Sequence, residues 1–328
     1  LFLALRDRFD GKPLADWPDE LRLRKQSALE KARAELKEAC DFHAFLQLLF
    51  FRQWTAVKAY ANGKGISIIG DLPIYVSPDS AEVWARPELF QLKEGMTPAG
   101  VAGVPPDAFS DKGQHWGNPL YDWDYHRKTG FAWWRSRAVH LARLYDVVRI
   151  DHFRGFHTYW CIPDGAEDAR EGHWEKGPGM ELVEVLRAVP GLALIAEDLG
   201  DLDENALRFI AESGLPGMKV LVYAFDPNGE SAYLPHNCQP FSVVYTGTHD
   251  TQTFVQFLNE AWPEESGFAR RYLRLREDEG FGWGAVCGAW MSPCRLAIAP
   301  LQDLLGLGAD ARVNAPGTSG ALNWSWRV

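Results

Sequence analysis

The chain has 328 residues, with 34 lysines and arginines against 44 aspartates and glutamates, which gives a formal net charge of −10 at pH 7. Hydrophobic residues make up 46% and charged residues 24% of the chain, a globular composition that argues against disordered and fibrous proteins. It contains no run of 18 uncharged apolar residues and no long Lys/Arg run, which argues against a membrane span and against a nucleic-acid partner.

The first elements in chain order are predicted to be helical. The sequence starts at Leu1 inside a helical pattern, LFLALRDRF, so we expect a fragment or a processed product. Asp19 is expected to cap a charged helix that runs to about Glu38. Residues 41–62 repeat apolar residues at helical spacing up to Gly63. The run ISIIGDLPIYV that follows is short and rich in β-branched residues, which is typical of a strand buried on both faces.

Further short apolar runs alternate with helical patterns along the rest of the chain. The runs are Val147–Ile150, Leu192–Ala196, Met218–Ala224, Ser242–Tyr245 and Leu296–Pro300, and the helical patterns cover 129–145, 181–189, 204–213 and 264–277. This alternation predicts parallel strands with right-handed crossovers, in a doubly wound sheet or a barrel. The glycine- and proline-rich segment 91–122 is predicted to be a long irregular loop, and a loop of that length in a compact domain is usually functional or mobile.

Charged residues follow four of the predicted strands. They are Asp71, Asp151 with His152, Glu197 with Asp198, and His249 with Asp250. The carboxyl ends of parallel strands form the active-site face of α/β barrels and sheets. A single acidic residue there often only caps the next helix, but four such ends favour one functional cluster.

Several chemistries use clustered carboxylates, and the sequence favours one of them. Metal-dependent barrels usually carry an H-x-H or H-E-x-x-H pair, and serine hydrolases carry a G-x-S-x-G elbow; none of these occurs here. Glycoside chemistry needs one ionised and one protonated carboxyl group. The 14 Trp, 10 Tyr and 18 Phe agree with sugar binding, although most of the tryptophans could equally belong to the core.

The cysteines indicate a reducing environment. The five residues are spaced irregularly without a C-x-x-C pair, which predicts neither a disulfide framework nor a zinc site. The N-terminus has no basic-then-apolar secretion signal. We therefore expect a cytoplasmic location, or a plastid if the source is a plant. The oligomeric state stays open.

Longer motifs surround the predicted strand ends. They are VRIDHFRG (148–155), AEDLG (196–200), YTGTHD (245–250), GDLPIYV (70–76), VAGVPPDAFSDKGQHWGNPLYDW (101–123), LPGMKVLVYAFD (215–226) and RVNAPGTSGALNWSWR (312–327). These motifs resemble those of a known family, the amylomaltases or 4-α-glucanotransferases of glycoside hydrolase family 77, also called disproportionating enzymes. The resemblance extends over almost the whole chain.

The resemblance implies an α/β fold, a (β/α)8 TIM barrel of the α-amylase clan. We expect one catalytic domain over residues 1–328, with a helical insertion at 1–63 and an active-site loop at 91–122. The family's barrel has eight strands, whereas the sequence offers six candidates. The chain is therefore expected to lack the first two strands.

The resemblance also implies a retaining double displacement on α-1,4-glucans, with no metal and no organic cofactor. Asp151 corresponds to the nucleophile, Glu197 to the general acid/base and Asp250 to the transition-state stabiliser. Such a pair of carboxyl groups should lie about 5–5.5 Å apart, with the pKa of Glu197 raised. Arg149 is expected to keep Asp151 ionised.

The resemblance further implies substrate contacts and a lid. The expected substrate-binding residues are Asp71, Gln114, Trp116, Arg149, His152, His249 and Asn314. Phe109 and Trp116 of the 91–122 loop would exclude water and position the acceptor. Thr251 stands where many relatives have Asn.

Three alternatives remain at this stage. An α-1,4-glucan hydrolase of the α-amylase clan would use the same three carboxylates with water as acceptor. The chain could instead be a non-catalytic glucan-binding protein or an inactive truncated fragment. An incomplete barrel leaves an open sheet edge, which is an aggregation risk, so this chain is expected to behave poorly or to be inactive alone. A metal-dependent barrel enzyme comes third.

Overall fold

Alternating short strands and helices build two units in the computed structural model, which describes residues 1–106, 110–200, 202–229, 231–318 and 320–328. The units are Leu1–Gly214 and Leu215–Val328. Phe109, assigned above to the lid, lies outside the described residues. No helix within the described ranges is long and apolar enough to cross a membrane.

The first unit contains nine helices and seven strands among its described residues. The helices are α1 (Phe2–Arg8), α2 (Asp19–Arg22), α3 (Gln26–Glu35), α4 (Lys37–Gly63), α5 (Ala81–Ala85), α6 (Trp123–Lys128), α7 (Ala132–Leu144), α8 (Met180–Arg187) and α9 (Glu204–Ser213). The strands are β1 (Ile69–Leu72), β2 (Gly100–Val104), β3 (Gln114–Pro119), β4 (Val147–Ile150), β5 (Thr158–Pro163), β6 (His173–Lys176) and β7 (Ala193–Ala196).

Three of these strands form a parallel sheet with the order β1-β4-β7. The register pairs Asp71 with Arg149 and Ile150 with Ala196. Helix α7 connects the first two strands, and α8 precedes the third, as the alternating pattern predicted. Val148, Ile150 and Ala196 share one face of the sheet and have no exposed surface, and Ile195 on the opposite face is also buried.

A second sheet is antiparallel, with the order β3-β2-β5-β6. Two of its strands, β2 and β3, lie inside the segment 91–122, which was wrongly expected to be wholly irregular. A glycine in this segment allows two strands to pack closely. A Cβ on Gly103 would lie 2.2 Å from the Gln114 carbonyl oxygen on the paired strand, which is too close for any other residue to fit without a shift. The sheet thus carries Gln114 and Trp116 on regular backbone.

Helix α4 confirms the predicted helix ending at Gly63, and it begins four residues earlier than the apolar repeat suggested. None of its residues, all of which are described, is buried. Phe45 and Val57 of the repeat are each 53% exposed, while the Trp54 indole donates a hydrogen bond to the Leu144 carbonyl oxygen at 2.8 Å.

The single charged helix expected from Asp19 to about Glu38 is instead divided into α2 and α3. Arg24 between them has a φ of 55°, which lies outside the helical region. The Trp84 indole also donates to the Leu21 carbonyl oxygen, a group that a continuous helix would use itself. Tertiary contacts therefore override the local helical pattern.

The close packing around Gly70, in the GDLP segment, predicts that a larger side chain at this position destabilises the fold. A Cβ there would lie 2.3 Å from a ring carbon of Tyr145. We expect Gly70→Ala to lower the free energy of unfolding by about 1–3 kcal/mol, the usual cost of overpacking, as measured by urea denaturation. Gly63→Ala is the matched control, because a Cβ at that helix end meets nothing within 4 Å. Equal urea midpoints for the two variants would contradict the expectation.

The second unit carries a smaller parallel sheet. Its strands are β8 (Gly217–Val220), β9 (Ser242–Tyr245) and β10 (Leu296–Ile298) in the order β10-β9-β8, and its helices are α10 (Phe254–Glu260), α11 (Pro263–Tyr272), α12 (Phe281–Trp290) and α13 (Leu301–Leu304). The run 218–224, predicted as one strand, continues after Val220 as a single 3-10 turn. Buried Asp303 accepts hydrogen bonds from the Thr246 hydroxyl and the Phe254 amide, which ties α13 to the end of β9.

Candidate active site

Arg149 of β4 brings two of the predicted acidic residues together. Because the parallel register pairs it with Asp71, its Nη1 lies 2.8 and 2.7 Å from the two carboxylate oxygens of that residue. The same nitrogen lies 2.9 Å from Oδ1 of Asp151, which follows the strand. Burial lowers the pKa of Arg149, but the charges of Asp151 and Asp71 outweigh it and hold that pKa above its usual range.

Glu197 follows the neighbouring strand β7, and the backbone fixes its carboxyl group. The His152 amide donates to Oε2 at 2.8 Å, and the Leu199 amide donates to Oε1 at 2.7 Å. Burial raises the pKa of Glu197 to about 7, and the charge of Asp151 adds to that rise. The Arg149 charge and the two amides oppose it. The two carboxyl groups at these strand ends therefore lie in different electrostatic environments, with Asp151 paired to a cation.

His152 occupies an unusual backbone position beside this pair. Its φ of 49° and ψ of 48° lie in the left-handed region, which few residues other than glycine adopt. Burial lowers its pKa to about 4, and the Arg154 charge adds to this, so the ring is neutral at pH 7. Its buried Nε2 has no hydrogen-bond partner among the described residues. The ring thus holds a polar atom that a bound hydroxyl group could satisfy.

Trp116 of β3 covers His152 on one side. The two ring centroids are 5.0 Å apart with an interplanar angle of 87°. The Trp116 indole donates to Gln114 Oε1 at 3.1 Å, and its centroid lies 6.2 Å from that of Tyr75. The side chain is 37% exposed, so one ring surface remains available to solvent.

The second unit brings together the three other predicted site residues. Asp250 Oδ2 lies 3.1 Å from His249 Nε2, and its Oδ1 accepts a hydrogen bond from Asn314 Nδ2 at 2.6 Å. The Asn314 amide donates to the His249 carbonyl oxygen at 3.0 Å. His249 and Asp250 follow β9, so the C-terminal segment is bound directly to this strand end.

Sequence reasoning missed three contributors to this second cluster. Arg312 donates to the Asp250 and Asn314 carbonyl oxygens at 3.0 and 2.8 Å, and the Trp324 ring lies 5.3 Å from His249. Both residues belong to the motif RVNAPGTSGALNWSWR, which indicated the family resemblance but did not indicate a role for either residue. The Thr251 hydroxyl accepts from the Thr248 amide at 2.8 Å and closes the turn that presents Asp250.

Comparison with known proteins gives the family context of this geometry. The sequence model of one family, described as 4-alpha-glucanotransferase, matches residues 1–328. The chain is 48% identical over 336 residues to a 4-alpha-glucanotransferase of Thermus thermophilus, covering all of this chain and 67% of the relative. It is 46% identical over 331 residues to that of Clostridium butyricum, covering all of this chain and 68% of the relative.

A solved structure of an amylomaltase also matches this chain. An amylomaltase from Streptococcus agalactiae, in complex with acarbose, matches with a TM-score of 0.96 at 41% identity. The match covers all of this chain and 66% of that one. The chain therefore spans about two thirds of the length of the relatives it matches, and it shares their α/β fold with parallel and antiparallel sheets.

Proposed function

The chain belongs to the 4-alpha-glucanotransferase family, glycoside hydrolase family 77, and on this premise we propose that it transfers a segment of an α-1,4-glucan to the 4-hydroxyl of another glucan or of glucose. The observation that carries the proposal is the pair of carboxyl groups after β4 and β7. Asp151 faces the Arg149 cation, whereas the pKa of Glu197 is raised to about 7. A retaining glycosidase mechanism requires such a difference between its two carboxyl groups.

The first half of the reaction would break the donor linkage. An Asp151 carboxylate oxygen attacks the anomeric carbon, while Glu197 gives its proton to the departing glycosidic oxygen. The anomeric C–O bond of the donor breaks and a β-glucosyl ester forms on Asp151. Arg149 favours the ionised form of this nucleophile through a charge-assisted contact.

The second half would form the new linkage. The 4-hydroxyl oxygen of the acceptor attacks the anomeric carbon, the ester bond to Asp151 breaks, and the Glu197 carboxylate takes the hydroxyl proton. Two inversions at the anomeric carbon retain the α configuration. The chemistry draws on carboxyl groups alone, without a metal or organic cofactor.

We propose that the remaining residues contact sugar. Asp71, His152, Gln114 and Trp116 of the first unit would contact hydroxyl groups and the apolar faces of glucose rings. The support is the unpartnered Nε2 of His152 and the partly exposed Trp116 ring. In the second unit, Asp250 would stabilise the transition state, with His249 and Asn314 as sugar contacts, because these side chains hold one another in place.

We also propose a barrel fold and a cellular location for the chain. Six strands in two parallel sheets, with α-helices preceding β4, β7, β8 and β10, support the (β/α)8 barrel of the α-amylase clan and the proposal that two of its eight strands are lacking here. All five cysteines are free thiols, which supports a cytoplasmic or plastid location.

Incubation of the chain with maltotriose and separation of the products tests the transferase function. Transfer predicts glucose and a ladder of shorter and longer maltooligosaccharides, while the total of reducing ends stays constant. A rise in reducing ends would instead support the α-1,4-glucan hydrolase. No product from this chain, but a ladder from a chain of the relatives' full length, would keep the function and show that the additional third is needed.

The raised pKa of Glu197 predicts the alkaline side of the pH profile. We expect kcat/KM for maltotriose to fall as the pH rises above about 7, because Glu197 must carry its proton in order to donate it. Initial rates of glucose release at constant ionic strength measure this.

Arg149 provides the control for that assignment. Its charge lowers the pKa of Glu197, so Arg149→Gln should move the alkaline limb to higher pH, in addition to lowering the rate. A limb that stays in place in Arg149→Gln would show that a different group titrates.

A further inference from the structure

A cluster of metal-binding side chains lies on the antiparallel sheet, apart from the carboxyl groups proposed for catalysis. The β5–β6 register pairs Tyr159 with Glu175 and Cys161 with His173. Residues two apart on a strand share a face, so all four side chains lie on the same face. The Cys161 sulfur, a His173 ring nitrogen and a Glu175 carboxylate oxygen lie within 4.8 Å of one another.

We propose that Cys161, His173 and Glu175 bind one divalent transition-metal ion of the zinc class, with water as a fourth ligand. A thiolate and an imidazole select such ions over Mg²⁺ and Ca²⁺, which prefer oxygen ligands. Three protein ligands with one open position are a common zinc arrangement.

The spacing of the ligand atoms fits a tetrahedral site. His173 Nε2 lies 3.2 Å from Glu175 Oε1. Ligand bonds of 2.0 to 2.3 Å place neighbouring ligands of a tetrahedral zinc ion about 3.3 to 3.6 Å apart. The nitrogen and oxygen are therefore already close to that separation, and the Cys161 sulfur, which lies within 4.8 Å of both, would move closer on binding.

A hydrogen-bond chain orients the carboxylate ligand. The Tyr159 hydroxyl donates to Glu175 Oε2 at 2.5 Å, which leaves Oε1 directed towards His173. Gln91 Nε2 in turn donates to the Tyr159 hydroxyl at 3.3 Å. Outer partners of this kind hold a ligand in its binding orientation.

The cluster is open to solvent on one side and closed on the other. The His173 side chain is 57% exposed and that of Glu175 is 34% exposed, whereas Cys161 is buried. Burial, and then the Glu175 charge, raise the pKa of the Cys161 thiol to about 11. Binding would break the S–H bond, form the metal–sulfur bond and release the proton to solvent.

The position of the cluster indicates a role in stiffening the sheet. Strand β5 pairs with β2 at Ala102 and Cys161, and β2 pairs with β3, which carries Gln114 and Trp116. An ion bound between β5 and β6 would hold these two strands together. It would thereby stiffen the sheet whose opposite edge strand, β3, carries Gln114 and Trp116. The sequence alone does not indicate this site. Cys161 precedes the His173-x-Glu175 pair by 12 residues, and the three side chains come together only through the pairing of β5 with β6.

Cobalt binding tests the site independently of glucan transfer. Adding Co²⁺ to the full chain under reducing conditions should produce a thiolate-to-cobalt charge-transfer band that saturates at one equivalent and is displaced by Zn²⁺. Cys161→Ser should abolish the band, and His173→Ala and Glu175→Gln should each weaken binding at least about tenfold. Tyr159→Phe should weaken it about ten- to hundredfold, as outer-partner losses do.

Cys287→Ser is the matched control and should leave the band unchanged. Absence of a band in the wild-type chain, or a band that survives in Cys161→Ser, would overturn the proposal. If circular dichroism shows that Cys161→Ser is misfolded, the solvent-facing variants His173→Ala and Glu175→Gln decide, and unchanged affinity in both would also overturn it.

Discussion

Asp151→Asn should lower the rate of glucan transfer by roughly 10⁴-fold or more, because the amide cannot form the covalent ester that both proposed half-reactions require. The substitution conserves size and removes the charge that faces Arg149. Chromatography of maltotriose products after incubation with equal enzyme concentrations measures the loss. Asp310→Asn, at an exposed position, is the matched control and should retain full activity.

The stereochemistry of azide rescue distinguishes a nucleophile from a positioning residue. In Asp151→Ala, azide can enter the vacated space and attack the α-linked donor directly, so the product should be a β-glucosyl azide. A structural role for Asp151 predicts no azide product. A variant that keeps the maltooligosaccharide ladder near its wild-type rate would remove Asp151 from the mechanism.

Glu197→Gln should lower the transfer rate about 10²- to 10⁴-fold, the range for loss of a general acid/base. The side-chain amide of this variant could no longer protonate the departing oxygen or take the acceptor's proton. A donor whose leaving group needs no protonation, such as 4-nitrophenyl α-maltoside, should recover the first half-reaction but not the second. A burst of nitrophenol followed by a slow steady state is therefore expected in stopped-flow absorbance.

Azide again gives the decisive product for this residue. It should accelerate turnover of the nitrophenyl donor by Glu197→Gln and yield an α-glucosyl azide, because the ester on Asp151 still forms first. Glu212→Gln on the exposed surface of α9 should behave as wild type. Equal losses with maltotriose and with the nitrophenyl donor, and no azide effect, would assign Glu197 a structural role.

The elements predicted best from the sequence are those in which local pattern and tertiary environment agree. The strands at Val147–Ile150 and Ser242–Tyr245 and the helix at Glu204–Ser213 have the predicted bounds. Each strand is short and mostly apolar and lies in a parallel sheet, and the helix is capped by Asp203 and by Gly214, which has a left-handed φ of 62°.

The antiparallel sheet escaped prediction because its strands lack that pattern. Strand β6 reads HWEK and is mostly exposed, and β3 reads QHWGNP, with a glycine and a terminal proline. Such strands are held by hydrogen bonds to neighbouring strands, and these contacts are distant in sequence. Periodicity therefore could not separate them from loops.

In the candidate site, the residues that carry the functional side chains could be predicted from the sequence better than the hydrogen bonds that hold those side chains in place. Asp151 and Glu197 directly follow β4 and β7, as predicted, whereas Asp71 lies inside β1 rather than after it. The parallel register explains the contact of Asp71 with Arg149. The backbone amides that bind Glu197 were not predictable, because their direction depends on local conformation rather than on residue type.

Backbone amides, rather than side chains, hold the carboxyl group of Glu197 in place. The amides of His152 and Leu199 hold both carboxyl oxygens, and among side-chain substitutions only proline would remove such a donor. The carboxyl group can therefore keep one rotamer through proton release and proton uptake, without reordering between the two steps. What constrains residue 152 is its φ of 49°, a conformation that β-branched residues avoid and that Asn or Gly accept. Evolutionary drift at this position is thus limited by backbone shape as well as by imidazole chemistry.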